Sequence, residues 1–400
     1  MRHHLSLPYP ALATLLAALS MLGPFAIDTY LPAFPAIQAS LLAHELEVQQ
    51  TLSAYMLAFA VMTLWHGALS DSFGRRKVIL IALLVFAAAS FGCAGAVSIH
   101  YLWGFRILQG ISAGAGMVVG RAIIRDLYHG PEAERLLSLV TMIFSIAPAI
   151  APVLGGWIVE IWSWRAIFLF LCSFAVLLWM ACYRWLPETL PQHKRQEFSA
   201  AFLWESYRTV FSSGRFYLKS GTVALNFGGL FLYISSAPVF LIQHLHLTSS
   251  QFAWQFVPTV GGIFLGALAA NRLAGKWTIW KQVRTGFVFM IAAAGMNVLY
   301  HAFLPPALPW SVSPLLFYSF GMSLVAPGAT LLALDMFPEI RGVVASCQSA
   351  TSTLISALIA GLMSPLLSHS VLYLALGQLV CCCVSACLWS AIRYIPKQKN

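Results

Sequence analysis

Twelve long apolar runs, parted by short polar turns, set the limits on what this chain can fold into. They lie near 12–37, 48–70, 78–98, 101–124, 136–158 and 166–186, then near 216–242, 252–271, 284–304, 310–334, 342–366 and 370–392. A helix needs about 20 apolar residues to cross the ~30 Å hydrocarbon core of a bilayer. The runs are apolar without interruption and lack the alternation of a membrane strand, so helices are expected. Only 9% of the 400 residues are charged, against about 25% in soluble proteins. An ordinary soluble enzyme is thereby excluded. The first run has no short apolar core followed by a small-residue cleavage site, so no cleavable signal peptide is expected. The two sets of six runs are separated by a polar, basic stretch. This predicts an N-terminal six-helix bundle over 1–190, a cytosolic linker over 191–215 and a C-terminal six-helix bundle over 216–400. The fold class is an all-α membrane protein with twelve transmembrane helices. Six plus six spans around a central inner loop is the layout of transporters built from two parallel repeats.

Basic residues then orient the chain, because Lys and Arg gather in cytosolic loops. With both termini in the cytosol, all of the 23 except Arg106 and Arg165 fall on the inner side. The net charge of +10 therefore reflects topology and contact with anionic lipid, and no nucleic-acid partner is expected. Cys381, Cys382, Cys383 and Cys387 crowd the last run without a His or acid beside them. They read as small buried residues, with no metal site and no disulfide framework. No nucleophile–base set or ligand cluster converges in the spans, so the chain is not read as an enzyme and no cofactor is expected. A monomer in the bilayer is the expectation.

Two charges stand out inside this apolar frame. Asp28 lies in Met21–Ile37, a stretch interrupted by Pro24, Pro32 and Pro35. A carboxylate in lipid costs roughly 2.5–3.5 kcal/mol on insertion scales, so it faces a cavity or a partner. Arg106 is the one deeply placed cation. At ~1.5 Å per residue Asp28 is ~24 Å along from Leu12 and Arg106 ~8 Å from Tyr101. Both thus lie ~6–8 Å below the outer face of a ~30 Å core. Equal depth is what an ion pair requires. Gly110/Gly114 and Gly116/Gly120 on the same span permit close helix packing.

The loop Gly67-Ala-Leu-Ser-Asp-Ser-Phe-Gly-Arg-Arg-Lys-Val78 combines two glycines, an acid and three cations. It resembles the hallmark of the major facilitator superfamily, G-x-L-x-D-x-x-G-R-R, at every position. Arg106-Ile-Leu-Gln-Gly110 is similar to the fourth-helix motif of that superfamily's proton antiporters. The resemblance implies proton coupling through Arg106, with Gln109 nearby, and Asp28 is the acid expected to carry the proton. It also implies an inner latch built from Gly67, Asp71, Gly74, Arg75, Arg76 and Asp126. Ala147-Pro-Ala-Ile-Ala-Pro-Val-Leu-Gly-Gly156 resembles the antiporter motif G-x-x-x-G-P-x-x-G-G, with alanines for its first two glycines. Pro148 and Pro152 are expected to kink the helix, and Gly155 and Gly156 to admit a neighbour. Asp28–Ile37, Trp164–Phe168 and Leu186–Leu190 add a likeness to the bicyclomycin and chloramphenicol resistance branch of drug:proton antiporters. Ser20 stands where some multidrug relatives carry a second acid.

The second half is sparser. Asn226, Gln243 and Asn297 are polar groups within or beside spans, and His244 and His246 lie near the outer face. Asp335, Glu339 and Arg341 form an inner-loop cluster. Phe25, Tyr30, Tyr55, Met56, Phe59, Asn226, Phe227, Phe231 and Tyr233 are candidates to line an adaptable cavity. The functional expectation is a secondary active exporter in the bacterial cytoplasmic membrane, driven by the proton gradient. It would carry small amphipathic drugs or toxic compounds outward by alternating access, with protons, cargo and the lipid bilayer as its partners. Protonation of Asp28 would weaken its hold on Arg106 and on cargo. Export of a single endogenous metabolite, such as an amino acid derivative or siderophore, is the alternative.

Overall fold

A computed structural model describes residues 8–392, apart from 130, 145, 196–197, 274–275, 335 and 338–339. Asp335 and Glu339 fall outside these residues. Among the described residues, eleven helices are long and apolar enough to cross a membrane, and a twelfth span results if Gly214–Ser235 and Pro238–His244, bent by 43°, are taken together. The spans of the first half are Tyr9–Leu41, Glu45–Phe73, Arg75–Ala94, Ile99–Leu127, Arg135–Ile161 and Trp164–Trp185. After the bent seventh come Ser249–Leu273, Ile279–Phe303, Ser313–Ala333, Gly342–Leu367 and Val371–Ala391. The chain divides into two compact units, Met1–Leu203 and Trp204–Asn400. The basic stretch between the two sets of spans holds a helix of its own, Ala200–Phe211.

Lipid offers helices no hydrophobic reason to associate, so close contact of small residues does much of the joining. In the first unit the second span packs along the fourth, and the third packs along the fourth and sixth. Gly110 marks the tightest of these approaches: a methyl there would run into the Tyr55 backbone carbonyl. Gly155 plays the same part on the fifth span, where a methyl would meet the Thr29 carbonyl. We expect Gly110→Val to cost roughly 1–3 kcal/mol through overpacking, read as a lowered unfolding midpoint of the purified protein. An unchanged midpoint would contradict this packing.

In the first unit the first, fourth and fifth spans are interrupted, the first of them at the buried Asp28. The first helix, Tyr9–Asp28, ends at Asp28; a tight turn over Leu31–Ala33 and a short helix, Phe34–Leu41, complete the span. Pro24 is inside the first helix, whereas Pro32 sits in the turn and Pro35 in the opening of the short helix. The fourth span is divided at Gly114 into Ile99–Ala113 and Ala115–Leu127. In the fifth span a helix restarts at Ala147, which changes the role expected of Pro148. It occupies the opening turn of Ala147–Ile161, where its missing N–H leaves no bond unmade, and only Pro152 lies inside the helix.

Candidate functional site

The last four carbonyls of any helix lack partners within it, and the end carries partial negative charge. Tyr9–Asp28 ends inside the first unit, so these carbonyls must be met by other groups. The Thr29 backbone and hydroxyl both donate to Phe25 O, and Tyr30 N–H donates to Ile27 O. Ala26 O is met by Arg106, whose Nη1 donates to it at 3.0 Å. The guanidinium thus caps the helix whose final residue is the carboxylate Asp28.

Arg106 is fully buried and Asp28 is 6% exposed. Its guanidinium lies between two aromatic faces, 4.6 Å from the Tyr30 ring centre and 4.3 Å from that of Tyr55, which stabilises a desolvated cation by up to about 2 kcal/mol. Nη1 also donates to Gln109 Oε1 at 2.5 Å, and Gln109 Nε2 donates to Ser90 Oγ at 2.8 Å. Ser90 in turn donates to Phe86 O, so the cation is tied to the third span. Nε and Nη2 of Arg106 are buried and unpartnered. The pairs Arg75–Asp71, Arg75–Asp126 and Arg195–Glu188 lie elsewhere in the first unit, and among the described residues no ion pair joins Asp28 to Arg106. The pairing suggested by equal depth is therefore made through the helix end: the arginine binds a carbonyl two residues before the acid. Tyr55 lies within electrostatic reach of both charges.

The tyrosine hydroxyls are engaged within the same unit. Tyr30 Oη and Thr51 Oγ1 are 2.6 Å apart, and Tyr55 Oη donates to Gly23 O at 3.0 Å. Phe25 packs on Phe170 and Phe174, Met56 is buried, and Phe59 packs against Tyr55. Of the second unit's candidates, Asn226, Phe231 and Tyr233 are buried and Phe227 is 36% exposed. Asn226 donates to Met322 O, and Asn297 donates to both Tyr233 Oη and Gln378 Oε1. This second core is held by neutral amides and hydroxyls. His244 bonds Ser368 O at 2.7 Å and, with His301 and His369, lines a cavity of about 240 Å³.

At the junction of the second and third spans, Arg75 pairs with Asp71, and its Nε meets Asp126 Oδ2 at 3.1 Å. Its Nη1 also donates to Ser70 Oγ. Three residues not anticipated from the sequence complete the cluster. Thr189 donates to Asp126 at 2.9 Å, and Glu188 Oε1 accepts from the Arg75 backbone N–H at 2.9 Å. Arg195 lies 3.6 Å from Glu188 Oε2. Glu188 therefore caps the third span from 113 residues away. In sequence it stood within the stretch Leu186–Leu190, with no partner assigned to it. Gly74 makes the fit possible: its φ is +100°, and a side chain there would strike Glu188 and Arg195. Gly67 faces Val118 with room to spare, and Arg76 donates to Tyr183 O at 2.5 Å. Gly156, like Gly155, is buried. Glu188→Gln removes the charge from a helix N-terminus and should lower the unfolding midpoint by an amount equivalent to about 1 kcal/mol. An unchanged midpoint in thermal scans would argue against the cap.

The comparison that decides the family covers most of the chain: a model described as Major Facilitator Superfamily matches residues 15–361. The chain belongs to the major facilitator superfamily. This is a family of membrane transporters and not of enzymes. An uncharacterised transporter of this superfamily from Bacillus subtilis (strain 168), YdgK, is 32% identical over 89% of this chain and 88% of its own length. Multidrug resistance protein D of Escherichia coli (strain K12) is 27% identical over 89% of both chains. The chloramphenicol resistance protein of Pseudomonas aeruginosa is 28% identical over 84% of this chain and 79% of its own. Among solved structures, a D-xylose–proton symporter superposes with a TM-score of 0.72 at 17% identity, covering 98% of this chain and 99% of that one. That likeness shows the facilitator fold alone.

Proposed function

We propose that this facilitator is a proton-coupled exporter of small amphipathic compounds, with Asp28 as the group that gains and loses the proton. The observation that carries the reading is a buried carboxylate at a helix end capped by a fully buried arginine, with no ion pair joining the two. A carboxyl so placed can hold or give up a proton. Ionised, it would attract the Arg106 guanidinium, whose Nε and Nη2 have no partners; protonated, it would lose that attraction. A change of charge at Asp28 would thus alter the hold on the first helix end and on the Tyr30 and Tyr55 rings. Gln109 fixes the arginine's rotamer. The candidate aromatic and methionine side chains of the two units are read as cargo contacts, adaptable because they are soft and apolar.

The two units would expose cargo alternately to either side, as expected of a transporter of this layout. Asp71, Arg75 and Asp126 would act as the inner latch, made and released once per cycle. Pro152, Gly155 and Gly156 would set the shape of the fifth span, with Pro148 opening its second helix. The energy source is the proton gradient, with no cofactor. The membrane is the bacterial cytoplasmic membrane, with both termini in the cytosol and the protein a monomer. The names of the drug-resistance relatives support the cargo class and direction.

The test is transport in proteoliposomes with an imposed pH gradient, using chloramphenicol, a lipophilic cation and a panel of amino acids. Gradient-driven movement of several unrelated amphipathic compounds is expected. Movement of one metabolite with narrow competition would replace drug export by the endogenous-metabolite reading.

A further inference from the structure

One cavity of the second unit takes no part in the exporter reading. It measures about 240 Å³, and its walls include His244, His301, His369, Ser370, Val371 and Leu372. These residues stand where the seventh, ninth and eleventh spans end and the last begins. The volume lies below the ~300–1,000 Å³ of sites for drug-sized ligands. An occupant smaller than the proposed cargo is what fits.

Both ring nitrogens of His301 are buried and without a hydrogen-bond partner. Buried polar atoms are normally bonded to protein, water or a ligand, and what this ring adjoins is the cavity. His244 Nε2 donates to Ser368 O at 2.7 Å, so that nitrogen carries a proton, and His369 is exposed. An imidazole supplies one N–H donor when neutral, and two with a positive charge when protonated. It can therefore serve an anion in either form.

A further set of donors comes from the backbone. The last span, Val371–Ala391, opens without a side-chain cap from Ser370 and with no acid in its first turn. Its leading N–H groups, those of Val371 and Leu372 among them, fall outside the helical ladder and carry partial positive charge. Such a helix start favours phosphate and other anions. No carboxylate opposes one here. Residues 220–271, 285–334 and 342–392 contain no Asp or Glu, and no Lys or Arg either. The imidazoles and the helix start are thus the donors available. They come from separate elements, which suits the several outward-facing oxygens of a tetrahedral phosphate better than a planar carboxylate. Exposed apolar side chains flank the lining residues in sequence: Phe303 and Leu304 after His301, Leu366 before His369, and Tyr373 after Leu372. In a bilayer these would meet acyl chains, and a lipid phosphate would then reach the cavity.

We propose that this cavity binds a phosphate group, carried by an anionic lipid or as the free ion, through His301, His369 and the N-terminus of the last span. The proposal is independent of the exporter reading.

The test uses the full-length protein in dodecyl maltoside, an uncharged detergent without phosphate, with 15N-labelled histidine. The ring signals of His301 and His369, assigned by their loss in His301→Gln and His369→Gln, should shift and saturate as phosphate is supplied. One arm adds inorganic phosphate against sodium chloride of equal ionic strength; the other adds phosphatidylglycerol. Saturation by phosphatidylglycerol alone makes the occupant a lipid headgroup, and saturation by inorganic phosphate makes the free ion sufficient. Shifts that fail to saturate in both arms would overturn the proposal. His369→Gln, at an exposed position that spares the fold, should weaken binding about fivefold, as expected for one hydrogen bond of about 1 kcal/mol. His246→Gln, an exposed ring outside the cavity, should leave the affinity unchanged. Equal effects of the two substitutions would also overturn it.

Discussion

Asp28→Asn is expected to reduce pH-gradient-driven uptake at least ~100-fold, about 2.7 kcal/mol of lost coupling, while exchange of cargo at equal pH persists. The asparagine keeps the shape of the carboxyl and removes the only group on the first helix able to change charge at this depth. Its effect on stability should have the opposite sign. The carboxylate is 6% exposed and sits at the negative end of a helix, where a second negative charge is unfavourable. Neutralising it removes part of an insertion cost of roughly 2.5–3.5 kcal/mol. The unfolding midpoint should therefore hold or rise. Full retention of gradient-driven uptake in proteoliposomes would remove Asp28 from the mechanism.

Arg106→Leu should destabilise the first unit by about 1–3 kcal/mol, because it leaves the buried Ala26 carbonyl without its donor. The substitution uncaps Ala26 O, frees Gln109 and empties the space between Tyr30 and Tyr55. Arg106→Lys keeps the charge but lacks the planar guanidinium that reaches a carbonyl and an amide while lying between two rings. It should fall between Leu and wild type. The pair also makes a coupling test. If Arg106 compensates Asp28, Asp28→Asn combined with Arg106→Leu should cost less than the sum of the singles, by about 0.5–3 kcal/mol. Additive unfolding free energies would mean that the two charges do not sense each other.

The helical spans were legible in the residues because they depend on length and apolarity, and the Asp71–Arg75 contact because the two lie four residues apart. What depends on azimuth was not. Helices that are apolar on every side give no periodic signal of which way a side chain points. Equal depth for Asp28 and Arg106 therefore left open whether they touch, and the structure places the arginine on Ala26 O. The same blindness hid Ser90 as the partner of Gln109. Glu188 was missed for another reason: it reaches the third span from 113 positions away, a link that only folding creates. Pro148 showed the limit of a local rule. A proline kinks a helix only from inside it, and whether the helix had already ended was decided at residues flanking the motif.

The central claim, that a buried carboxyl on the first helix exchanges a proton, can be measured without any cargo. Infrared difference spectra of the membrane-reconstituted protein between low and high pH should contain the carbonyl stretch of a protonated carboxyl in an apolar site. That band should be missing in Asp28→Asn and displaced in Arg106→Lys. The same band at undiminished strength in Asp28→Asn would assign the proton to another group and contradict the account.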